Sequence, residues 1–456
     1  MSIDFEKLFQ KSSKNIRQDL SIVHKAYLKL GLADSNSLNF LIAGTNGKGT
    51  TASFLWSMLS ASGLKVGLFT SPHIFFFRER IRCSHKEVSD DLLSIHIERI
   101  KNTLGFHLYE ALSFFEVTTL LALTIFKESR TDVNIIEVGL GGRLDATNII
   151  DPIASCVVSI GFDHQQWLGS TIQEIAYEKL GIVRQNTPLF WGMRSDDEHS
   201  ALCENVLRNK VAKNNLVLYR AGENFDLLNE SLFIKLDSIS ISNAQLPSFF
   251  AKLPQILQRN FCLALSMFEW FKSRYVDYFI NSEEISESLE KYSQWPPAVF
   301  CRFQTFKLAF SKHKKFKFIL DCCHNLEALK SCYSTLVQKN LLDINSKITV
   351  VASFLSDKDY LHLLDFVSNF ADPLYLVGTK STRGLKKSHL EQTEYSQKYY
   401  KNFSNLWEEI LLNEHNVKNT ILVCGSIIGL SEIMNFFRVD TNAKEFSKDL
   451  TCYMDY

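Results

Sequence analysis

Between an apolar run, LNFLIAG, and a helical one, ASFLWSMLSASG, the chain reads Gly44-Thr45-Asn46-Gly47-Lys48-Gly49-Thr50. Glycines there let backbone N–H groups close on phosphate oxygens. The following helix N-terminus adds positive potential, Lys48 adds a charge, and a hydroxyl can bind magnesium. Because strand, loop, lysine, hydroxyl and helix occur in order, a nucleotide-phosphate cradle is a better reading than a bare glycine-rich turn. The spelling departs from the common GxxxxGK[ST], since Gly49 separates Lys48 from Thr50. Glu137 closes the apolar run NIIE, and at the end of a parallel strand its carboxylate would be either a solvated acid or a hard ligand for magnesium. His164 follows SIGFD, a position where histidine is more often a structural hydrogen-bonder than a ligand. Phe114 and Phe115 could stack on a flat ring, although two of 35 phenylalanines are more readily core. Cys322-Cys323-His324 suggests metal ligands, but adjacent strand residues point to opposite faces, which argues against a shared ion.

These residues need elements to hold them. Short apolar runs alternate with longer helical patterns: LNFLIAG, KVGLFTS, DVNIIEVGLGG and ASCVVSIGFD, then FKFILDCC, KITVVASF, PLYLVGT and NTILVCGS. Strands spaced by helices imply α/β architecture with parallel, doubly wound sheets. Residues 186–250 are less regular and richer in Asn and Ser, as expected of a peripheral hairpin region. A Pro-Pro pair in KYSQWPPAVFCRF blocks helix continuation and places a boundary near residue 298. The expected domains are therefore 1–298 and a smaller 299–456.

At 456 residues the chain exceeds one ordinary core, so two or three domains are expected. Fifty basic and fifty acidic residues cancel, which gives no electrostatic reason to expect a nucleic-acid or anionic-membrane partner. The opening MSIDFEKLFQ mixes both charge signs and reads as neither signal peptide nor anchor. The longest apolar stretch, residues 114–126, contains Glu116 and falls short of the roughly 20 residues that span a bilayer. Ten scattered cysteines without a CxxC pair fit reduced thiols in a cytoplasmic enzyme.

The loop spelling GTNGKG[ST] resembles the ATP loop of the Mur-type amide ligases. Other segments narrow the likeness to the dihydrofolate synthase/folylpolyglutamate synthase family: Thr70-Ser71-Pro72-His73 with Arg78-Glu79-Arg80-Ile81, Ser113-Phe114-Phe115-Glu116, and the run from Glu137 through Gly142 to Asn148. Asp163-His164 with Trp167-Leu168-Gly169, Glu178-Lys179-Leu180-Gly181-Ile182, Arg302-Phe303-Gln304, Asp321 to Asn325, Asp357-Lys358-Asp359 and Gly425-Ser426 continue it. The resemblance runs from about residue 15 to about residue 435. It implies a P-loop parallel-sheet ATPase domain followed by a smaller Rossmann-like domain.

By the same resemblance, one magnesium lies among Thr50, Ser71 and Glu137. A second is held by His164 and a carbamylated Lys179, since burial disfavours an ammonium and only the neutral amine reacts with carbon dioxide. Asn260 and Arg302 approach ATP phosphates, Asp321 the ribose, and His324 with Asn325 supports the site. Ser113, Phe114, Phe115 and Glu116, with Leu144, Asp145 and Ala146, match segments that contact the pterin-bearing substrate. Lys48, His164, Lys179 and His324 form the implied catalytic set. Where the family commonly reads PGRF and DGAHNP, this chain has VFCRF and DCCHNL, and Leu180 replaces an alanine.

The resemblance implies an acyl phosphate made from ATP and a substrate carboxylate, then attacked by the amine of L-glutamate. Partners would be small molecules (ATP, L-glutamate, and dihydropteroate or a folate), with no nucleic acid or membrane, and the chain is expected to be a monomer. A peptidoglycan amino-acid ligase of the Mur type is the alternative, but those usually carry a domain ahead of the ATP loop, which here begins at Gly44. A P-loop ATPase switch would not need His164 and Lys179 together.

Overall fold

The apolar runs become strands whose ladders fix where each chemically equipped residue lies. The computed structural model describes residues 19–84, 86–228, 231–237, 239–242, 249–279, 301–309, 315–412 and 417–440. They fall into two units, one from the described residues of Met1–Gly161 and Gln165–Pro297, the other from those of Phe162–His164 and Ala298–Tyr456. The Pro296-Pro297 pair and position 298 lie outside the described residues.

In the first unit, β1 (Leu38–Ala43), β2 (Val66–Phe69), β3 (Ile81–Cys83), β4 (Lys86–Glu87), β5 (Val133–Glu137), β6 (Ala154–Val157), β7 (Pro188–Trp191) and β8 (Val217–Arg220) form one sheet. Its order is β4-β3-β2-β5-β1-β6-β7-β8. All neighbours pair in parallel except β2 with β3 and β3 with β4. Both faces of β1 are buried, as a covered parallel sheet requires. Leu41 and Ala43 share a core with Val117 and Leu121 of the helix Phe114–Ser129. Phe40 meets Trp270 at 6.2 Å and Phe271 at 5.8 Å, on the helix Gln255–Arg274. Burying one such ring contributes about 2–3 kcal/mol.

The register aligns the C-terminal strand ends: Ile42 pairs with Glu137, Ala43 with Val157, and Phe69 with Ile136. The loop after β1 feeds the helix Lys48–Ala61, buried on most sides, where Phe54 meets Phe261 edge-on at 5.3 Å.

Residues 186–250 differ from expectation. Pro188–Trp191 and Val217–Arg220 extend the parallel sheet, joined by the helix Ser200–Asn214. That helix buries Ser200, Cys203 and Leu207 along one stripe, so the polar composition belongs to its solvent face rather than to irregular chain. Only the later part is a meander, the antiparallel sheet of β9 (Phe225–Leu228), β10 (Ser231–Leu236) and β11 (Ile239–Ser242).

The second unit holds β12 (Gln304–Ala309), β13 (Lys315–Asp321), β14 (Ile348–Ser353), β15 (Ala371–Val377), β16 (Tyr399–Tyr400) and β17 (Thr420–Gly425), in the order β12-β13-β17-β14-β15-β16. Only β12 runs antiparallel to its neighbour. Helices Leu326–Gln338 and Tyr360–Ser368 share a core with Ile319, Val350 and Leu422. Phe318 meets Trp407 at 6.2 Å and Phe437 at 5.1 Å, on helices Phe403–Leu412 and Ile427–Asp440. Among the described residues, no helix is long and apolar enough to cross a membrane.

Candidate active site

The loop after β1 is held before any ligand arrives. Thr45 N–H donates to the Ser159 carbonyl at 2.9 Å, and its hydroxyl exchanges hydrogen bonds with Gly161 N–H and C=O at 3.0 and 3.1 Å. Asn46 N–H donates to the Ser159 hydroxyl, which donates back to the Asn46 carbonyl, both at 2.9 Å. Gly47 takes φ +83°, a left-handed conformation that favours glycine. A Cβ there would fall 2.8 Å from Asn260 Oδ1, which places the buried Asn260 side chain against the loop.

Two lysine side chains meet at the Gly44 carbonyl. Lys48 Nζ donates to it at 3.1 Å and to the Thr45 carbonyl at 3.4 Å. Lys179 Nζ, from the end of the helix Ile172–Lys179, donates at 3.0 Å. Lys179 is 4% exposed, so its stem is buried as the apolar helix face implied.

Glu137, also 4% exposed, accepts the Ser71 N–H at 2.9 Å. Gly49 lies so close that a Cβ there would be 3.0 Å from Glu137 Oε2, and Thr50 is buried in the first turn of the helix. Hard oxygens from Glu137, Thr50 and Ser71 are the donor chemistry magnesium takes, so this set fits that ion. Arg80 also lies here, a residue whose spacing in the sequence points to no role. Its buried guanidinium is pulled down to about 10 by desolvation, only partly offset by the charges of Glu137 and Glu79. Arg80 Nε donates to His73 Nδ1 at 2.8 Å, and its guanidinium lies 5.3 Å from the Phe114 ring centre. Burial, then the Arg80 charge, pushes the His73 imidazole down to about 3, so it stays neutral and accepts. Glu79 takes the N–H groups of Ile74, Phe75 and Phe76 at 2.7, 2.8 and 2.7 Å, which shapes the loop after Ser71.

The segments expected to meet a pterin also satisfy one another. Ser113 caps the helix Phe114–Ser129, its hydroxyl accepting Glu116 N–H at 3.3 Å while Glu116 accepts Ser113 N–H at 2.7 Å. Phe114 packs on Phe77 at 6.1 Å, and the half-buried Phe115 on Phe69 at 5.8 Å. Asp145 accepts Leu140 N–H at 2.8 Å, Thr147 N–H at 3.0 Å and the Thr147 hydroxyl at 2.6 Å. Burial still raises its carboxyl above the ordinary range. Leu144 is half-buried and Ala146 buried.

In the second unit the centre is Asp163, which accepts from Lys358 Nζ and lies 3.3 Å from His324 Nε2. Burial alone would raise this carboxyl. The His324 hydrogen bond and the charges of His324, His164 and Lys358 overcome it and hold the group far below the usual range. His164 Nε2 lies 3.4 Å from Lys358 Nζ, so its ring belongs to this cluster. Lys179 belongs to the first unit. Lys358 was visible only as the middle of Asp357-Lys358-Asp359, with nothing in its spacing to link it to Asp163. Asn325 caps the helix Leu326–Gln338 by accepting Ala328 N–H at 2.9 Å. Asp321 accepts Phe303 N–H at 2.9 Å; burial raises its carboxyl, and the Arg302 charge counters this only in part.

No family model matches the sequence. The curated dihydrofolate synthase/folylpolyglutamate synthase of Escherichia coli K12 is 31% identical over 422 residues, 92% of each chain. This chain belongs to the dihydrofolate synthase/folylpolyglutamate synthase family. A crystal structure of a bifunctional folylpolyglutamate synthase/dihydrofolate synthase with Mn, AMPPNP and L-glutamate bound superposes with a TM-score of 0.75 at 28% identity, covering 95% of this chain and 97% of that one. Escherichia coli FolC in complex with DHPP and ADP gives 0.74 at 29% identity with the same coverage. Cys322 N–H donates to the Cys301 carbonyl at 2.9 Å, and Cys323 joins the buried core of the second unit.

Proposed function

We propose that this chain uses ATP to join the amine of L-glutamate to the carboxylate of dihydropteroate, of a folate, or of both. The observation that carries this reading is the meeting, at one sheet edge, of the Lys48 loop, the Ser71 amide and the buried Glu137 carboxylate. Loop N–H groups and the helix start at Lys48 bind the nucleotide phosphates. Lys48 exchanges its carbonyl partners for phosphoryl oxygen, and Arg302 and Asn260 approach the same phosphates. When bound, magnesium held by Thr50, Ser71 and Glu137 supplies positive charge to those oxygens.

The substrate carboxylate takes the terminal phosphoryl group. The amine of glutamate attacks the acyl phosphate carbon, loses its proton, and inorganic phosphate leaves. Asp321 reaches the ribose, with His324 and Asn325 supporting it. Ser113, Phe114, Phe115 and Glu116, with Leu144, Asp145 and Ala146, form the pterin side.

Residues 1–298 form the ATP-binding domain and 299–456 the glutamate-ligase domain, in a monomeric cytoplasmic enzyme. His164 and a carbamylated Lys179 hold a second magnesium; growth with ¹³C-bicarbonate should then give a carbamate carbon signal that is absent in Lys179→Ala. The peptidoglycan ligase alternative is not favoured by the relatives. The deciding assay supplies magnesium, ATP and glutamate with dihydropteroate or tetrahydrofolate. Phosphate release that requires both glutamate and acceptor is the expected result, and release indifferent to them would overturn the proposal.

A further inference from the structure

We propose that Asp321, Cys323, Cys332 and Cys424 form a binding site for a thiophilic d¹⁰ divalent cation of the zinc group. Ligand atoms of Asp321, Cys323 and Cys332 lie within 4.8 Å of one another. Cys323, Cys332 and Cys424 belong to one buried core, and Cys424 is the register partner of Asp321. A tetrahedral zinc centre with ~2.3 Å bonds separates its ligands by about 3.8 Å, compatible with that spread.

Rigid elements set the arrangement. Asp321 and Cys424 are register partners on β13 and β17, Cys323 follows Asp321 by two residues, and Cys332 is a buried residue of the helix Leu326–Gln338. A site on strands and a helix has little ordering left to do when a ligand arrives. Three thiols alone would serve as small apolar core groups. A carboxyl group among them does not suit apolar packing, and a divalent ion would draw it to its charged form. Cys323, Cys332 and Cys424 are buried, and burial also raises the Asp321 carboxyl. Each thiol gives its proton to solvent on coordination, and soft thiolates select zinc-group ions over magnesium.

The test is titration of the reduced full-length protein with Cd²⁺, followed by its thiolate charge-transfer absorption, and by competition with Zn²⁺. One equivalent should bind. Cys332→Ala and Cys424→Ala should each weaken binding at least tenfold, and Cys83→Ala, outside the cluster, should leave it unchanged; thermal melts check that each variant is folded. Anomalous scattering at the zinc edge from wild-type crystals gives a measurement independent of variant folding, with a peak expected among the three sulfurs. Wild-type binding no tighter than that of the Cys332→Ala/Cys424→Ala protein, or a peak elsewhere, would overturn the proposal.

Discussion

The two large sheets share an architecture and end in different chemistry. Beyond β1, β2 and β5, the C-terminal ends carry two lysine amines on one backbone carbonyl and a buried glutamate on a backbone amide. Beyond β13 and β17 the ends carry a carboxylate beside thiols, and the second unit centres its charged groups on Asp163 with two imidazoles and Lys358. Parallel strands bring loops to one edge in both cases. What the edge can bind is set by the few residues that leave each strand, not by the fold that presents them. The first edge is organised by main-chain groups, the second by side chains, and the two should respond differently to substitution and to acid.

The largest effect should come from Lys48→Ala, which removes the one loop side chain able to exchange a carbonyl for a phosphoryl group. Glutamate- and acceptor-dependent phosphate release should fall at least about 10³-fold with an unchanged melting curve. Retained turnover would remove the first edge from the chemistry altogether. Asp163→Asn should cost about 3 kcal/mol in denaturant unfolding, because Lys358 and His324 lose a buried carboxylate partner. The Asp163 carboxyl is depressed in the folded chain, so its contribution is complete above the unfolded value of about 3.9 and disappears only as pH falls below it. The gap between wild type and Asp163→Asn should therefore close as pH falls below about 4.

Gly47→Ala tests the main-chain edge, since it sets a Cβ at positive φ against Asn260 and Val158. A loss of about 1–3 kcal/mol is expected, with weaker nucleotide binding by calorimetry. The smallest effect at neutral pH should be that of His73→Gln. Folded His73 stays neutral down to about pH 3, whereas the unfolded chain protonates it below about 6.5, so it lowers stability as pH falls between those values. Removing it should flatten acid sensitivity at pH 4–6.5. An unchanged acid slope in His73→Gln would remove the buried neutral imidazole from the account of the first edge.

Sequence reasoning reached the first edge more fully than the second. The loop, Ser71, Glu137 and Lys179 each sit where an apolar run stops or on a helix face, and such stops are local features. Arg80 and His73 were read as motif letters only, because their pairing depends on how β3 turns back on β2. Residues 186–250 were misread since a polar helix face and an irregular loop have similar composition. Lys358 lies 195 positions from Asp163, a separation that no spacing rule reports.

By itself the sequence determined the alternation of strands and helices, the phosphate-binding loop and the carboxylate at the end of β5, because hydrophobic period and glycine placement act over a few residues. Only the tertiary structure decided that Asp163 would gather His164, His324 and Lys358, and that Cys323, Cys332 and Cys424 would meet beside Asp321. Those contacts follow from strand register and helix docking, which are set by burying whole faces at once, so no single segment encodes them.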